Sequence, residues 1–201
     1  MEPGWSRSEF LDSQLYRSRR HLRIYSDAPR KGNDMGCLGV HFALTSDEVQ
    51  KLKSFSDDED RLNFMQAELE EHYCHAQPEM SCETDKAWDA IHRALTDGRI
   101  GYTNGEPPLS HVILGGELLY SGDYYIMSLK SQEQVREIAS ALDKMSEDDF
   151  RVRYFLINPS DYGRPVDEED FGYTWHWFEK LRDFYRSAAA NGRFALFTAD
   201  Q

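Results

Sequence analysis

The apolar positions of this 201-residue chain fall into two rhythms, one helical and one of short strands. From Thr45 the spacing is helical. Val49 and Leu52 share a face behind a Thr45 or Ser46 cap, and after the acidic residues 57–60 a second helix turns Leu62, Met65 and Leu69 inward. Pro78, in the loop of residues 75–81, ends it. In TDKAWDAIHRALT, residues 84–96, Trp88, Ile91 and Leu95 recur at i, i+3 and i+7. Thr84 is the expected N-cap there, Asp85 complements the first turn, and Asp97-Gly98 is the stop. Residues 101–108 read as loop, and PLSHVILGG, residues 108–116, as a short buried segment closed by paired glycines. Ser131 and Gln134 form a capping box for a helix that buries Val135, Ile138, Leu142 and Met145. Residues 148–157 continue helically to the Asn158-Pro159 break, and residues 161–170 read as a loop. A last helix over residues 170–191 buries Phe171, Trp175, Phe178, Leu181 and Tyr185, with Gly192 as its C-cap.

The strand rhythm is sparser. MGCLGVHFAL from Met35 reads as a first strand, residues 118–129 carry β propensity in their Tyr-Tyr-Ile-Met run, and residues 194–198 read as a closing strand. Long helices and few strands give an α+β fold: a single helix-rich domain with a small sheet packed against helices. A chain of 201 residues with 40% hydrophobic content has room for one sizeable core. Residues 1–34 lack sustained periodicity. They read as an N-terminal extension, either a short helix on Leu11, Leu15 and Leu22 or a disordered or adventitious segment. The α+β domain then spans residues 35–201, and Met35 is a second candidate initiator.

Charge narrows the possible partners. Residues 1–34 hold seven Lys/Arg and five Asp/Glu, so the rest of the chain holds 23 − 7 = 16 basic against 36 − 5 = 31 acidic side chains, a balance of −15. Such a surface repels nucleic acid and anionic membrane, which makes a basic protein the favoured partner. No apolar run of about 18 residues suggests a membrane span, and the N-terminus has no apolar signal region. Three cysteines give no disulfide framework, so a reducing cytoplasm is the expected home.

Candidate chemistry centres on residues 84–96. Asp89 and His92, at i and i+3, suit a carboxylate-oriented general base, and Ser110 is the candidate nucleophile. Asp85, Trp88, Gly115 and Gly116 are the candidate ligand-binding residues, the glycines offering backbone N–H groups to an anion. Neither G-x-S-x-G nor a P-loop accompanies them, and the bland reading of His92 is a hydrogen-bonded residue at a core boundary. His72, Cys74, His75 and Cys82 are dense in metal-ligand types but lack the usual pair spacings, so no metal and no cofactor are expected. Tyr173 and Trp177, near the acidic Asp167 and Glu168, are the candidate interface residues.

MGCLGVHFAL, DKAWDAIHRALT, PLSHVILGG, the helix over residues 131–142 and LRDFYRSAAANGRFALF together resemble the YfbM-like family of small bacterial proteins, a domain of unknown function. The resemblance covers about residues 35–199 in order. It implies a single α+β domain, bacterial origin and a cytoplasmic home, and it carries over no catalytic residue. Two functional expectations stand beside it. One is an acidic binding or regulatory protein of the immunity type, which neutralises a basic protein partner. The other is a small-molecule-binding protein or hydrolase-like enzyme with a pocket between the Trp88 helix and the PLSHVILGG turn.

Overall fold

The computed structural model describes residues 38–200, so the expectations for residues 1–34 and for Met35 and Cys37 lie outside the described residues. In chain order the elements are β1 (Gly39–Leu44), α1 (Ser46–Ser54), α2 (Asp58–Phe64), a π-helical stretch (Met65–Glu70) and α3 (Glu71–His75). They continue with β2 (Ser81–Asp85), α4 (Ala87–Leu95), β3 (Glu117–Leu118), β4 (Tyr125–Lys130), α5 (Gln132–Leu142) and α6 (Glu147–Tyr154). The last are α7 (Pro159–Tyr162), α8 (Glu168–Ala190) and β5 (Phe194–Asp200). The five strands form one antiparallel sheet in the order β2-β1-β5-β4-β3.

Alternation along the strands sends neighbouring side chains to opposite sides and makes a three-layer α+β domain. Ala43, Ile126, Ala195, Phe197 and Ala199 face a layer built from α4 to α8 and the PLSHVILGG segment. Phe42, Leu44, Tyr125, Met127, Leu129 and Leu196 face the other layer, built from α1, α2, the π stretch and α3. The helix starts follow their caps. Thr45 and Ser131 make full capping boxes with Glu48 and Gln134, and Ser146 makes one with Asp149.

Four expectations need correction. Thr84 does not cap the Trp88 helix, because residues 81–85 pair with β1 as edge strand β2, and α4 begins only at Ala87. Tertiary pairing here overrides a local capping signal, and Asp85 is left at a positive φ of 45° where strand turns into helix. The stretch 118–129 is two strands separated by a turn, the second running on to Lys130. The expected loop over residues 161–170 contains the end of α7, and α8 starts at Glu168 because Asp167 accepts the Asp170 N–H. Trp175, expected in the core, is half-buried.

Candidate functional site

Trp88 packs against the sheet between β1 and β5, its ring tilted by 54° to that of Phe197. The two rings lie 5.6 Å apart, and a Cβ on Gly39 would stand 2.6 Å from the indole. Only glycine allows β1 and the indole so close. Along the same helix the ionisable groups separate. The Asp89 carboxylate pairs with Arg93 Nε at 2.5 Å, and Arg93 also donates to the carbonyls of Gly98 and Asp161, both at 3.2 Å, while it packs over the Tyr162 ring. His92 Nε2 instead donates to the Gly101 carbonyl at 2.9 Å and to Asn104 Oδ1 at 3.1 Å. The expected Asp89–His92 pair is therefore not made. Both i+3 and i+4 neighbours were within reach of Asp89, and the guanidinium takes it. Burial pushes the His92 imidazole below its usual range. His92 thus holds a loop with the N–H that would have to be absent for it to act as a base at that nitrogen.

PLSHVILGG is a turn whose carbonyls are answered from the core. Tyr185 donates to the Val112 carbonyl at 2.7 Å, and His41 Nε2 faces the same oxygen at 3.3 Å. Lys130 Nζ donates to the Ile113 carbonyl, and Ser128 Oγ lies 2.9 Å from the Leu114 and 3.0 Å from the Gly115 carbonyl. Lys130 completes its set with the Ser128 carbonyl and hydroxyl, both at 3.0 Å, so three oxygens meet three N–H bonds. His41, Ser128, Lys130 and Tyr185 are all fully buried. Burial holds the Lys130 amine well below the ordinary lysine range, and burial with the nearby Lys130 brings His41 down to about 3. His111, within the turn, is likewise lowered by burial and by Lys130, and its Nδ1 faces the Gln134 side-chain amide at 3.3 Å.

This clamp accounts for the glycines. The Gly115 N–H bonds the Ser110 carbonyl at 3.1 Å, and a Cβ on Gly115 would stand 2.6 Å from that oxygen. Gly116, at φ +122°, presses on β4, where a Cβ would come 2.5 Å from the Leu129 carbonyl. Close packing holds both residues in the turn, and the Gly115 N–H is already bonded within it. Ser110 itself is buried in the 3-10 turn Leu109–His111. A surface groove of about 490 Å³ opens on the other side of the sheet, where Lys53, Asp58 and Arg61 face residues 117–121. Among the described residues, no three His, Cys, Asp or Glu side chains come together in a metal-holding arrangement.

The interface candidates divide between two flanks of α8. Tyr173 and Trp177, one turn apart, meet edge to face at 6.5 Å, and both are half-buried. Tyr173 is fixed by the Lys86 N–H at 3.2 Å and by its bond to the Asp85 carboxylate, and Lys180 Nζ sits 4.2 Å over the Trp177 ring. The exposed Glu169, one turn before Tyr173, lies on that flank. Glu168 turns away to pair with Arg151 of α6, and Asp167 caps the helix. Sequence reasoning passed over Glu70, the buried Lys130 and the buried His41. Lys130 ends an apolar run and reads as an exposed strand end, so only the cross-strand register could have found it.

Fold and site together define a three-layer α+β domain whose most distinctive segment is a turn clamped by buried donors. A family model described as a domain of unknown function, DUF1877, matches residues 35–198, and the chain belongs to that family. The crystal structure of YfbM from Escherichia coli, a protein of unknown function, is similar to it. The TM-score is 0.57 at 19% identity, over 81% of this chain and 99% of that chain, a likeness of fold alone. Among curated proteins, none matches the chain. No helix among the described residues is long and apolar enough to cross a membrane.

Proposed function

We propose that this domain is an acidic binding and regulatory protein of the immunity type, acting in the bacterial cytoplasm by capturing a basic protein partner and catalysing no reaction. The observation that carries the reading is the outer flank of α8. There Tyr173 and Trp177 stand together at the surface beside Asp85 and Glu169, on a domain with 16 basic and 31 acidic side chains over residues 35–201. Acidic charge speeds the approach of a basic partner, and rigid aromatic rings supply the contact that holds it. The enzyme reading has less to draw on, since Asp89, His92 and Lys130 are engaged in bonds that hold loops and turns.

Affinity capture with tagged wild-type and Trp177→Ala proteins tests the reading, with bound proteins identified by mass spectrometry. Wild type is expected to retain a partner of high isoelectric point at low salt and to release it at about 0.5 M salt. Trp177→Ala should retain roughly tenfold less, as truncation of an aromatic anchor implies. Equal retention by the two proteins, or retention that ignores salt, overturns the reading.

A further inference from the structure

The helix that starts at Asp58 is not uniform. Between Met65 and Glu70 it widens to π geometry, and Glu70 is the last residue of that stretch. A π turn is a rare and less favourable winding that persists where packing selects it. Here Met65 and Leu69 are buried against the sheet, and Glu70 is drawn in beside them, half-buried. Its Oε1 accepts a hydrogen bond from the Tyr125 hydroxyl at 2.8 Å, and the Thr198 hydroxyl bonds Tyr125 in turn. Tyr125 is the cross-strand partner of Asp200, so β4 brings a phenol and β5 a second carboxylate to the same place. Cys74 lies one turn further along the helix, and its thiol has both Glu70 and Glu83 of β2 nearby.

We propose that Glu70 is a proton-operated latch: protonated, it docks the π turn on the sheet, and ionised, it drives that turn away. An ionised carboxylate needs water or a donor on each oxygen. Tyr125 serves one of them, and the Asp200 charge opposes the whole. Burial, with Asp200 adding to it, pushes the Glu70 carboxyl up to about 7, against the lowering effect of the Tyr125 bond. Once the turn has opened, Glu70 returns towards its ordinary value of 4.5. The closed state therefore binds the extra proton between these limits. Opening rises with pH from 4.5 to 7 and then levels off.

Amide deuterium exchange of residues 65–75, corrected for the intrinsic pH dependence of exchange, tests the latch. In the wild-type protein protection should fall by up to roughly tenfold per pH unit between about 5 and 7 and stay level above that. Glu70→Gln should keep the low-pH protection across the whole range. The same fall in Glu70→Gln, or wild-type protection that is constant from about pH 5 to 8, overturns the proposal. Side-chain carboxyl NMR of wild type supplies a readout that needs no variant. A Glu70 midpoint near 7 supports the latch, and one at 4.5 refutes it.

Discussion

The two faces of the sheet are built on opposite plans. The face under α1 to α3 is lined by Phe42, Leu44, Tyr125, Met127, Leu129 and Leu196, and the helices above it satisfy most of their own backbone, with Arg61 answering the carbonyls that end α1. The face under PLSHVILGG carries His41, Ser128 and Lys130 at its centre, because the segment above is irregular and its carbonyls need donors from elsewhere. Adjacent residues on one strand show the contrast: Met127 points into the apolar layer and Ser128 into the clamp. Polar side chains in a core thus need no catalytic explanation when they account for the backbone they meet.

The largest effect should come from the closest approach in the clamp. Gly116→Ala places a methyl group against the Leu129 carbonyl at a φ of +122° that alanine resists, and should cost about 3 kcal/mol or more. Gly163→Ala, also at positive φ but with nothing within 4 Å, should cost roughly 1 kcal/mol, as backbone conformation alone predicts. Equal urea midpoints for the two variants would show that the turn is not pressed on β4.

A milder pair separates the two faces directly. Ser128→Ala leaves the Leu114 and Gly115 carbonyls short of a donor and Lys130 short of an acceptor, so it should cost roughly 1–3 kcal/mol. Met127→Leu, next to it on the apolar face, should cost under about 1.5 kcal/mol. If Ser128→Ala proves the cheaper change in chemical denaturation, the clamp adds little to stability.

The faces also answer acid in opposite senses. His41 stays neutral in the fold down to about 3 but takes up a proton below 6.5 when unfolded, so its contribution to stability shrinks as pH falls through that window. Glu70 holds its proton up to about 7 when folded and loses it above 4.5 when unfolded, so its contribution grows over the same fall. Between pH 4.5 and 6.5 the two trends offset each other. Glu70→Gln removes one of them and should make stability fall more steeply with acid than in wild type, by up to about 1.4 kcal/mol per pH unit. Parallel curves for the two proteins, from denaturation across this range, would contradict the opposition.

Much of this fold was legible from residue spacing. The inward positions Leu62, Met65 and Leu69, the Ser131–Gln134 box and the Trp88–Ile91–Leu95 stripe all stand where periodicity placed them. Strand β2 was not legible, because SCETD is short and polar and becomes a strand only through β1. The π stretch was hidden as well. Leu62, Met65, Leu69 and Tyr73 keep a spacing that an ordinary helix also gives, and the widening appears only in the backbone. Of the candidate site residues, Asp89 had two neighbours of suitable reach in the sequence, and burial around Arg93 decided between them.

The strand order has a bearing on synthesis. β5, the last strand, lies between β1 and β4 at the heart of the sheet. While the chain is still emerging from a ribosome, β1 and β4 have no bridge between them, and the apolar sides of α5 and α8 have no floor to rest on. Folding through such distant pairings is intrinsically slow. The domain therefore becomes foldable only when residues 194–200 are free of the exit tunnel, and a chain cut before Phe194 would lose its keystone rather than a tail.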